Sequence, residues 1–309
     1  MTAVGVAILL LAHWVGVDYL YFASYTILQF IVLATAWNIL GGYCGYVNFG
    51  SAAFFAMGAY SSVFLHKSIE VLPVPALIVM GGVVSGVVGL GMGYLTLRLR
   101  GSFFAIATLA LAVVLGTLVV NWDYVGGSRG AYIIRPESLE FAGLKINYIE
   151  YLFGLMLILA IVALVSARTI ERSQLGFGFA TIRDDELAAE ACGVPTLKLK
   201  LVATTISGAF MGMAGAPFPY YIGYLQPSSA FGLEYAVNSI AMPMIGGTTS
   251  WVGPLVGALL LGSAQQYATV TISSAVNLLI VGLMLVGFVI IAPNGIVGLV
   301  QERLRRKRS

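Results

Sequence analysis

The residues that could carry out covalent chemistry are few. Ser51 and His66 lie in one apolar segment and are the nearest approach to a serine nucleophile with an activating base. Fifteen residues separate them, which is about 22 Å along a helix and too far for proton transfer. The sequence also lacks the G-x-x-x-x-G-K-[ST] motif that cradles phosphates. It therefore predicts neither this hydrolytic pair nor a nucleotide site.

Metal and disulfide chemistry have equally little support. Cys44 and Cys192 are the only cysteines, and His13 and His66 are the only histidines. The two cysteines are far apart and in unlike surroundings, so no disulfide framework or metal-ligand spacing is available. We expect no metal site and no cofactor.

The densest group of functional side chains is the stretch ATIRDDELAAEACGV, residues 180–194. It holds five of the 29 charged residues of the chain (16 basic and 13 acidic). Thr181 with Asp184 three residues later resembles a capping box, and Gly193 followed by Pro195 is typical of a helix end. The pattern predicts a helix over residues 182–192, which either lies on the membrane surface or is bound by a cytoplasmic partner.

A second unusual stretch is GGYCGYVNFGSAAFFAMGAY, residues 41–60. Four glycines within ten residues are unfavourable in a plain helix. One interpretation is a broken or re-entrant segment whose free N–H groups face an anionic solute; Asn48, Ser51 and the intramembrane Asn238 are then candidates for a translocation path. The alternative is a turn followed by a normal helix. MIGGTTSWVGPLVGALL, residues 244–260, loosely repeats the pattern.

Composition indicates which elements must position these residues. Hydrophobic residues make up 59% and charged residues 9% of 309 positions, with a mean hydropathy of +0.94, whereas soluble domains are about 25% charged. Apolar runs close to the ~20 residues that span a bilayer predict an all-α polytopic membrane protein with a single domain, 1–309. About ten transmembrane segments are predicted, the first retained as a span: 3–17, 19–40, 46–66, 73–95, 102–121, 149–167, 199–223, 232–247, 252–272 and 275–293.

Basic residues predict the orientation of these segments. The loop with Arg98 and Arg100, the loop 168–198 with adjoining Lys200, and the tail 300–309 hold twelve of the sixteen Lys and Arg residues. Even numbers of spans separate these sites, so the positive-inside rule places them and both termini in the cytoplasm. The loop 122–148 is then external. The positive charge thus reports topology and does not indicate nucleic-acid binding.

Small residues at four-residue spacing predict close helix packing within the membrane. They form three faces: Gly81, Ser85, Gly89 and Gly93; Gly208, Gly212 and Ala216; Gly253 and Gly257. Apart from Glu234, near the start of the eighth segment, no ionisable group lies deep in a predicted span. Ion-coupled carriers usually keep such groups, so we expect the energy for transport to come from elsewhere.

Several motifs occur in an order that resembles a known family. The motifs are AWNILGGYCGYVNFGSAAFFAMGAY, RLRGSFFAIATLAL, NWDYVGGSRG, GFATIRDDELAAEACGVPTLKLKL, GGTTSWVGPLVGALL and PNGIVGL. With them the chain resembles, over about residues 30–300, the permease subunits of ABC importers for branched-chain amino acids, the LivM type. The resemblance implies pairing with a second related permease, two cytoplasmic ATP-binding subunits, and a periplasmic or lipid-anchored binding protein, in a prokaryotic inner membrane.

The resemblance also implies a role for the charged stretch, as a coupling helix seated in a groove of an ATPase. Asn48, Ser51 and Arg129 depart from the residues that relatives usually carry. These departures leave the solute open, and a permease for urea or a short amide is the alternative. A secondary carrier is a distant alternative for the class of transporter. The implied coupling residues are Thr181, Arg183, Asp184, Asp185, Glu186, Ala188, Ala189 and Gly193.

Overall fold

A computed structural model describes residues 18–69, 72–99, 101–135, 138–141, 144–271, 279, 282–284, 286–287 and 295–299. Its helices are α1 Asp18–Asn38, which continues into a π-helical turn Ile39–Tyr43, then α2 Ser51–Ser68, α3 Val74–Thr96, α4 Ser102–Val120, α5 Tyr148–Glu171, α6 Gln174–Asp184, α7 Glu186–Ala191, α8 Thr196–Gly215, α9 Phe218–Ile222, α10 Pro227–Ala230, α11 Leu233–Gly246 and α12 Val252–Thr271. The strands are β1 Ala131–Tyr132, β2 Ser138–Phe141, β3 Leu144–Asn147 and β4 Tyr224–Leu225.

The helical membrane architecture is confirmed. Each predicted segment from 19–40 to 252–272 contains a long helix. Segment 3–17 lies outside the described residues and 275–293 lies largely outside them, so the count of about ten spans is not confirmed. Five stretches of the described chain are long and apolar enough to cross a membrane: Tyr19–Tyr43, Val74–Thr96, Ser102–Val120, Tyr148–Glu171 and Thr196–Ile222.

Helices α3 and α8 pack closely because their small residues face each other. A Cβ built on Gly212 would lie 2.2 Å from the Ser85 Oγ, and one built on Gly81 would lie 2.8 Å from the Ala216 Cβ. Gly58 of α2 joins this contact, since its Cβ would lie 2.0 Å from the Gly212 carbonyl oxygen. The predicted small-residue faces are therefore confirmed as packing surfaces.

Two glycines of α12 lie directly against the backbone of α11 and of the residue that follows it. A Cβ on Gly257 would lie 1.8 Å from the Met242 carbonyl oxygen, and one on Gly253 would lie 1.7 Å from the Gly247 carbonyl oxygen. Because the obstacle is main chain and cannot move aside as a flexible side chain can, only glycine fits at these two positions.

The connection between α4 and α5 adds short strands to an otherwise helical fold. Strand β1 pairs antiparallel with β4, and β2 pairs antiparallel with β3. Gly126 and Gly130 have φ values of +102° and +78°, a region that L side chains rarely adopt. These two glycines turn the chain within the segment 122–148, which the sequence predicted only as a loop.

Alternating helix directions give the bundle two ends. The basic end comprises residues 39–50, 97–99, 172–195 and 247–251; the opposite end comprises 121–135 and 216–232. The Lys200 Nζ donates to the Leu97 carbonyl oxygen at 3.0 Å, so the predicted clustering of the Arg98 loop with the loop 168–198 is confirmed. The basic tail 300–309 lies outside the described residues.

Candidate functional site

The glycine-rich stretch 41–60 forms an interruption between two helices at the basic end. The π-helical turn ends α1, residues 44–50 are non-helical, and α2 begins at Ser51. Gly45 has a φ of +79°, and a Cβ there would lie 2.9 Å from the Cγ of Arg183. The break therefore packs against the charged stretch, in the arrangement expected for a turn followed by a normal helix.

The three candidate path residues are buried but belong to separate contacts. Asn48, Ser51 and Asn238 are each 1% exposed. The Asn48 Oδ1 accepts from the Gly50 N–H at 2.7 Å, and the Nδ2 of Asn48 has no partner among the described residues. Ser51 shares a 2.8 Å hydrogen bond with Ser239. The role of these residues on a solute path stays a prediction.

The charged stretch forms two helices, so the single helix predicted over 182–192 is wrong. Helix α6 ends at Asp184, and Asp185 is the N-cap of α7: its Oδ1 accepts from the N–H groups of Leu187 and Ala188 at 2.9 and 3.1 Å. Thr181, the predicted cap, lies inside α6 and donates to the Gly178 carbonyl oxygen at 2.8 Å. Asp185 is the helix cap because its carboxylate accepts hydrogen bonds from two otherwise free N–H groups.

The end of α7 agrees with the prediction. Gly193 has a φ of +82°, and its N–H donates to the Glu190 carbonyl oxygen at 2.9 Å. The Val194 N–H donates to the Ala189 carbonyl oxygen at 3.0 Å. This is the left-handed helix end that glycine favours.

Helices α6 and α7, which we call the α6–α7 unit, present an exposed face. The side chain of Asp184 is 74% exposed, and the apolar Leu187 is 63% exposed. Arg183, Asp185 and Ala188 are also exposed. Ile182 and Ala189 are buried against the chain, so Ala189 is not on the exposed face.

A buried charged cluster ties this unit to the bundle. Lys200 of α8 is 3% exposed, and its Nζ lies 2.7 Å from the Glu186 Oε1, 3.1 Å from the Tyr46 hydroxyl and 3.0 Å from the Leu97 carbonyl oxygen. Tyr46 donates in turn to the Glu186 Oε2. An ammonium has three N–H donors, and each has an acceptor. We call these four residues the Lys200 cluster.

Sequence reasoning missed this cluster. It assigned Glu186 to a partner surface and used Lys200 only as a topological charge. The signal available was a lysine within an apolar helix, where a charge is costly unless it is paired. Burial raises the pKa of the neighbouring Cys44 thiol to about 12, and the Glu186 carboxylate adds to the shift while Lys200 opposes it.

A second contact joins the basic end to the 244–260 stretch. The Glu171 Oε2 accepts from the Tyr43 hydroxyl at 3.3 Å and from the backbone N–H of Trp251 at 2.7 Å. The guanidinium of Arg168 lies 5.6 Å from the centroid of the Trp251 ring, a cation–π distance. The two glycine-rich stretches that resemble each other in sequence are thus neighbours in space.

The contacts at the basic end position the α6–α7 unit and the two glycine-rich stretches against the bundle. Among the described residues, no group of three or more His, Cys, Asp and Glu could hold a metal ion. Residues 126–130 read G-x-S-x-G, but Ser128 lies in a 3₁₀ turn and not on the strand-to-helix elbow that hydrolases use.

Comparison with known proteins gives one family. Residues 3–289 match the family described as "Branched-chain amino acid transport system / permease component". The chain is 27% identical over 300 residues to the high-affinity branched-chain amino acid transport system permease protein LivM of Salmonella typhimurium, covering 90% of this chain and 70% of that protein. Over 302 residues it is 27% identical to LivM of Escherichia coli K12, covering 91% and 70%.

A more distant relative carries the name LivH. The chain is 23% identical over 279 residues to a probable branched-chain amino acid transport permease protein LivH of Methanocaldococcus jannaschii, covering 85% of this chain and 86% of that protein. No solved structure matches the chain.

Proposed function

The chain belongs to the family of permease components of branched-chain amino acid transport systems, and on that premise we propose that it forms the translocation path of an ATP-driven importer for leucine, isoleucine and valine. Both similar LivM proteins carry this solute class in their names. In this proposal the energy for transport comes from separate ATP-binding subunits.

The observation that carries the proposal is the α6–α7 unit. A permease driven by a separate ATPase needs a cytoplasmic element that contacts that ATPase and is firmly joined to the membrane helices. The α6–α7 unit exposes Asp184 and Leu187, while Glu186 at its centre is bound to the buried Lys200. One face is therefore available to a partner and the other is fixed to the bundle.

The partners follow from the family. We propose a second related permease, two cytoplasmic ATP-binding subunits, and a periplasmic or lipid-anchored binding protein. The similarity to both LivM and LivH proteins supports a pair of related permeases. In this assembly the α6–α7 unit contacts one ATPase.

The basic end is proposed to face the cytoplasm of a prokaryote, with both chain termini on that side of the inner membrane. Arg98, Arg168, Arg172, Arg183 and Lys198 lie at or beside this end, and the positive-inside rule favours the cytoplasmic side for such residues. The same orientation puts the loop 122–148 outside.

The ATPase contact is tested by a double variant, Asp184→Lys with Leu187→Arg. Both side chains are exposed and neither caps a helix nor joins the Lys200 cluster, unlike Asp185 and Glu186. We expect the ATPase to be lost on co-purification and leucine uptake to fall at least tenfold, because a charge is reversed and a second cation replaces an apolar contact. Lys198→Glu, an exposed charge reversal on α8, is the control and should keep both.

The solute is tested with the complete importer in proteoliposomes. We expect ATP-dependent accumulation of leucine that isoleucine and valine compete away. Accumulation of urea or acetamide without leucine would replace the solute assignment, and normal leucine uptake by the double variant would remove the ATPase-contact role from the α6–α7 unit.

A further inference from the structure

A second polar region lies at the opposite end of the bundle. A cleft of about 230 Å³ opens between α1, α9, α11 and α12. Its volume is below the roughly 300–1,000 Å³ of pockets for drug-sized ligands, so it suits a small solute. Its walls include Gln29, Phe218, Glu234, Tyr235, Gln265 and Gln266.

Glu234 is the charged group of this cleft. The described residues give it neither a hydrogen bond nor an ion pair. Glu234 is the second residue of α11 and is exposed, so a ligand that enters the cleft from the opposite end of the bundle can reach it. Its carboxylate can only accept hydrogen bonds, so the ligand group that binds it is a donor, and a cationic donor suits it best.

The amide side chains divide into fixed and free donors. The Gln29 Nε2 donates to the Ala214 carbonyl oxygen at 3.3 Å, and the Gln265 Nε2 donates to the Asn238 Oδ1 at 2.8 Å. Gln266 accepts on its Oε1 from the Tyr19 hydroxyl at 3.5 Å, and its amide nitrogen has no acceptor within the described part of the chain. The cleft thus holds an unpaired acceptor and an unpaired donor.

The remaining wall is aromatic. The rings of Phe218 and Tyr235 meet edge to face with their centroids 5.6 Å apart, and the ring centroids of Phe30 and Tyr235 are 6.3 Å apart. Behind this wall, the fully buried Tyr25 stacks on Tyr221 at 4.2 Å. Such surfaces bind aliphatic side chains by apolar contact.

We propose that this cleft receives the amino acid as a zwitterion: Glu234 accepts from the ammonium, the Gln266 amide donates to the carboxylate, and the aromatic wall holds the branched side chain. The inference rests on the proposed function and adds a binding site within this subunit. Asn238, a candidate for the path from sequence, then acts by holding Gln265 in the cleft wall. A primary ammonium is also present in phosphatidylethanolamine, so the test must separate the solute from the lipid.

Binding is tested on the assembled importer without its binding protein, in nanodiscs of phosphatidylcholine and phosphatidylglycerol. Saturation-transfer NMR is recorded with leucine, with 4-methylpentanoate, which lacks the ammonium, and with 3-methylbutylamine, which lacks the carboxylate. We expect leucine to bind most tightly, and Glu234→Gln to weaken it by roughly tenfold or more, the effect of losing a hydrogen bond to a charged group. Glu150→Gln, at the same end but outside the cleft, is the control and should bind leucine normally.

Transport gives an independent readout. In the complete importer, Glu234→Gln should lower the maximal rate of leucine uptake while the ATPase and the second permease still co-purify. Equal leucine binding by wild type and Glu234→Gln would overturn the proposal, and so would binding lost only when phosphatidylethanolamine is added. Loss of the second permease would also overturn it, by assigning Glu234 to a subunit interface. A wild-type complex that transports no leucine contradicts instead the function proposed above.

Discussion

The Lys200 cluster and the Glu234 cleft are two polar regions at opposite ends of one apolar bundle, and they differ in how completely their charges are paired. Lys200 is 3% exposed with all three ammonium donors bound. Glu234 has no partner among the described residues. The buried Lys200 depends on partners that the protein provides, whereas Glu234 is exposed to its cleft and can be solvated by water. The paired cluster therefore indicates a fixed joint, and the exposed carboxylate is open to the ligand proposed above.

The Lys200 cluster, which is the joint, connects separate segments of the chain at the basic end. Tyr46 comes from the break between α1 and α2, Leu97 follows α3, Glu186 begins α7 and Lys200 lies in α8. If an ATPase moves α7, as proposed above, we expect these contacts to carry the movement to α3, α8 and the connection between α1 and α2. A cleft of about 240 Å³ beside Tyr46 and Glu186 leaves room for these side chains to shift.

The largest expected effect is from removing the cation of the joint. Lys200→Met leaves Glu186 without its buried partner, and breaking such a pair costs about 3–5 kcal/mol. We expect a lower unfolding temperature of the purified complex, loss of leucine uptake and weaker retention of the ATPase. Lys198→Met, an exposed lysine two positions away, is the matched control and should change none of these.

A double variant separates stability from transmission. Lys200→Met with Glu186→Leu replaces the ion pair by apolar side chains, which is often neutral for stability. We expect the unfolding temperature to recover while uptake stays low relative to ATP hydrolysis. Full recovery of uptake would reduce the Lys200 cluster to a packing element and remove the contrast with the Glu234 cleft.

The thiol reactivities of the two cysteines show whether the Lys200 cluster keeps residues 44–50 shielded from solvent. Cys44 is 0% exposed and burial raises its pKa to about 12, so at pH 8 only about one thiol in ten thousand is a thiolate, the reactive form. Cys192 is exposed at the end of α7. We expect a maleimide to modify Cys192 at least a hundredfold faster, measured by mass spectrometry of single-cysteine variants.

The same labelling tests the joint directly. In a Cys192→Ser background, Lys200→Met should make Cys44 reactive because the break loses its anchor and opens to solvent. An unreactive Cys44 in that variant would mean that residues 44–50 are held by other contacts. Protection of Cys192 by the bound ATPase would locate the partner at the end of α7.

The sequence predicted features that depend on near neighbours. Gly193 was identified as the end of α7 because a helix end with positive φ has a local signature, and the small residues of α3 and α8 were identified by their four-residue spacing. The sequence alone could not show that Asp185 rather than Thr181 caps the helix, since both residues precede a plausible helix. The pairing of Lys200 with Tyr46 was not accessible either, because 154 residues separate them and only the fold brings them together.

The smallest expected effect compares the backbone of the two ends. Gly45 at the basic end and Gly223 at the opposite end have nearly the same φ, +79° and +77°, so alanine at either position meets the same backbone strain, about 1 kcal/mol. Their surroundings differ: a Cβ at Gly45 would lie 2.9 Å from the Arg183 Cγ and 3.2 Å from its Cα, whereas a Cβ at Gly223 has nothing within 4 Å. We therefore expect Gly223→Ala to lower the unfolding free energy by about 1 kcal/mol and Gly45→Ala to lower it further, because the α6–α7 unit must move away from the break. Thermal unfolding of the two variants measures this difference. Equal losses would mean that the α6–α7 unit yields freely at Gly45, and a joint that yields freely could not carry movement from an ATPase to the membrane helices.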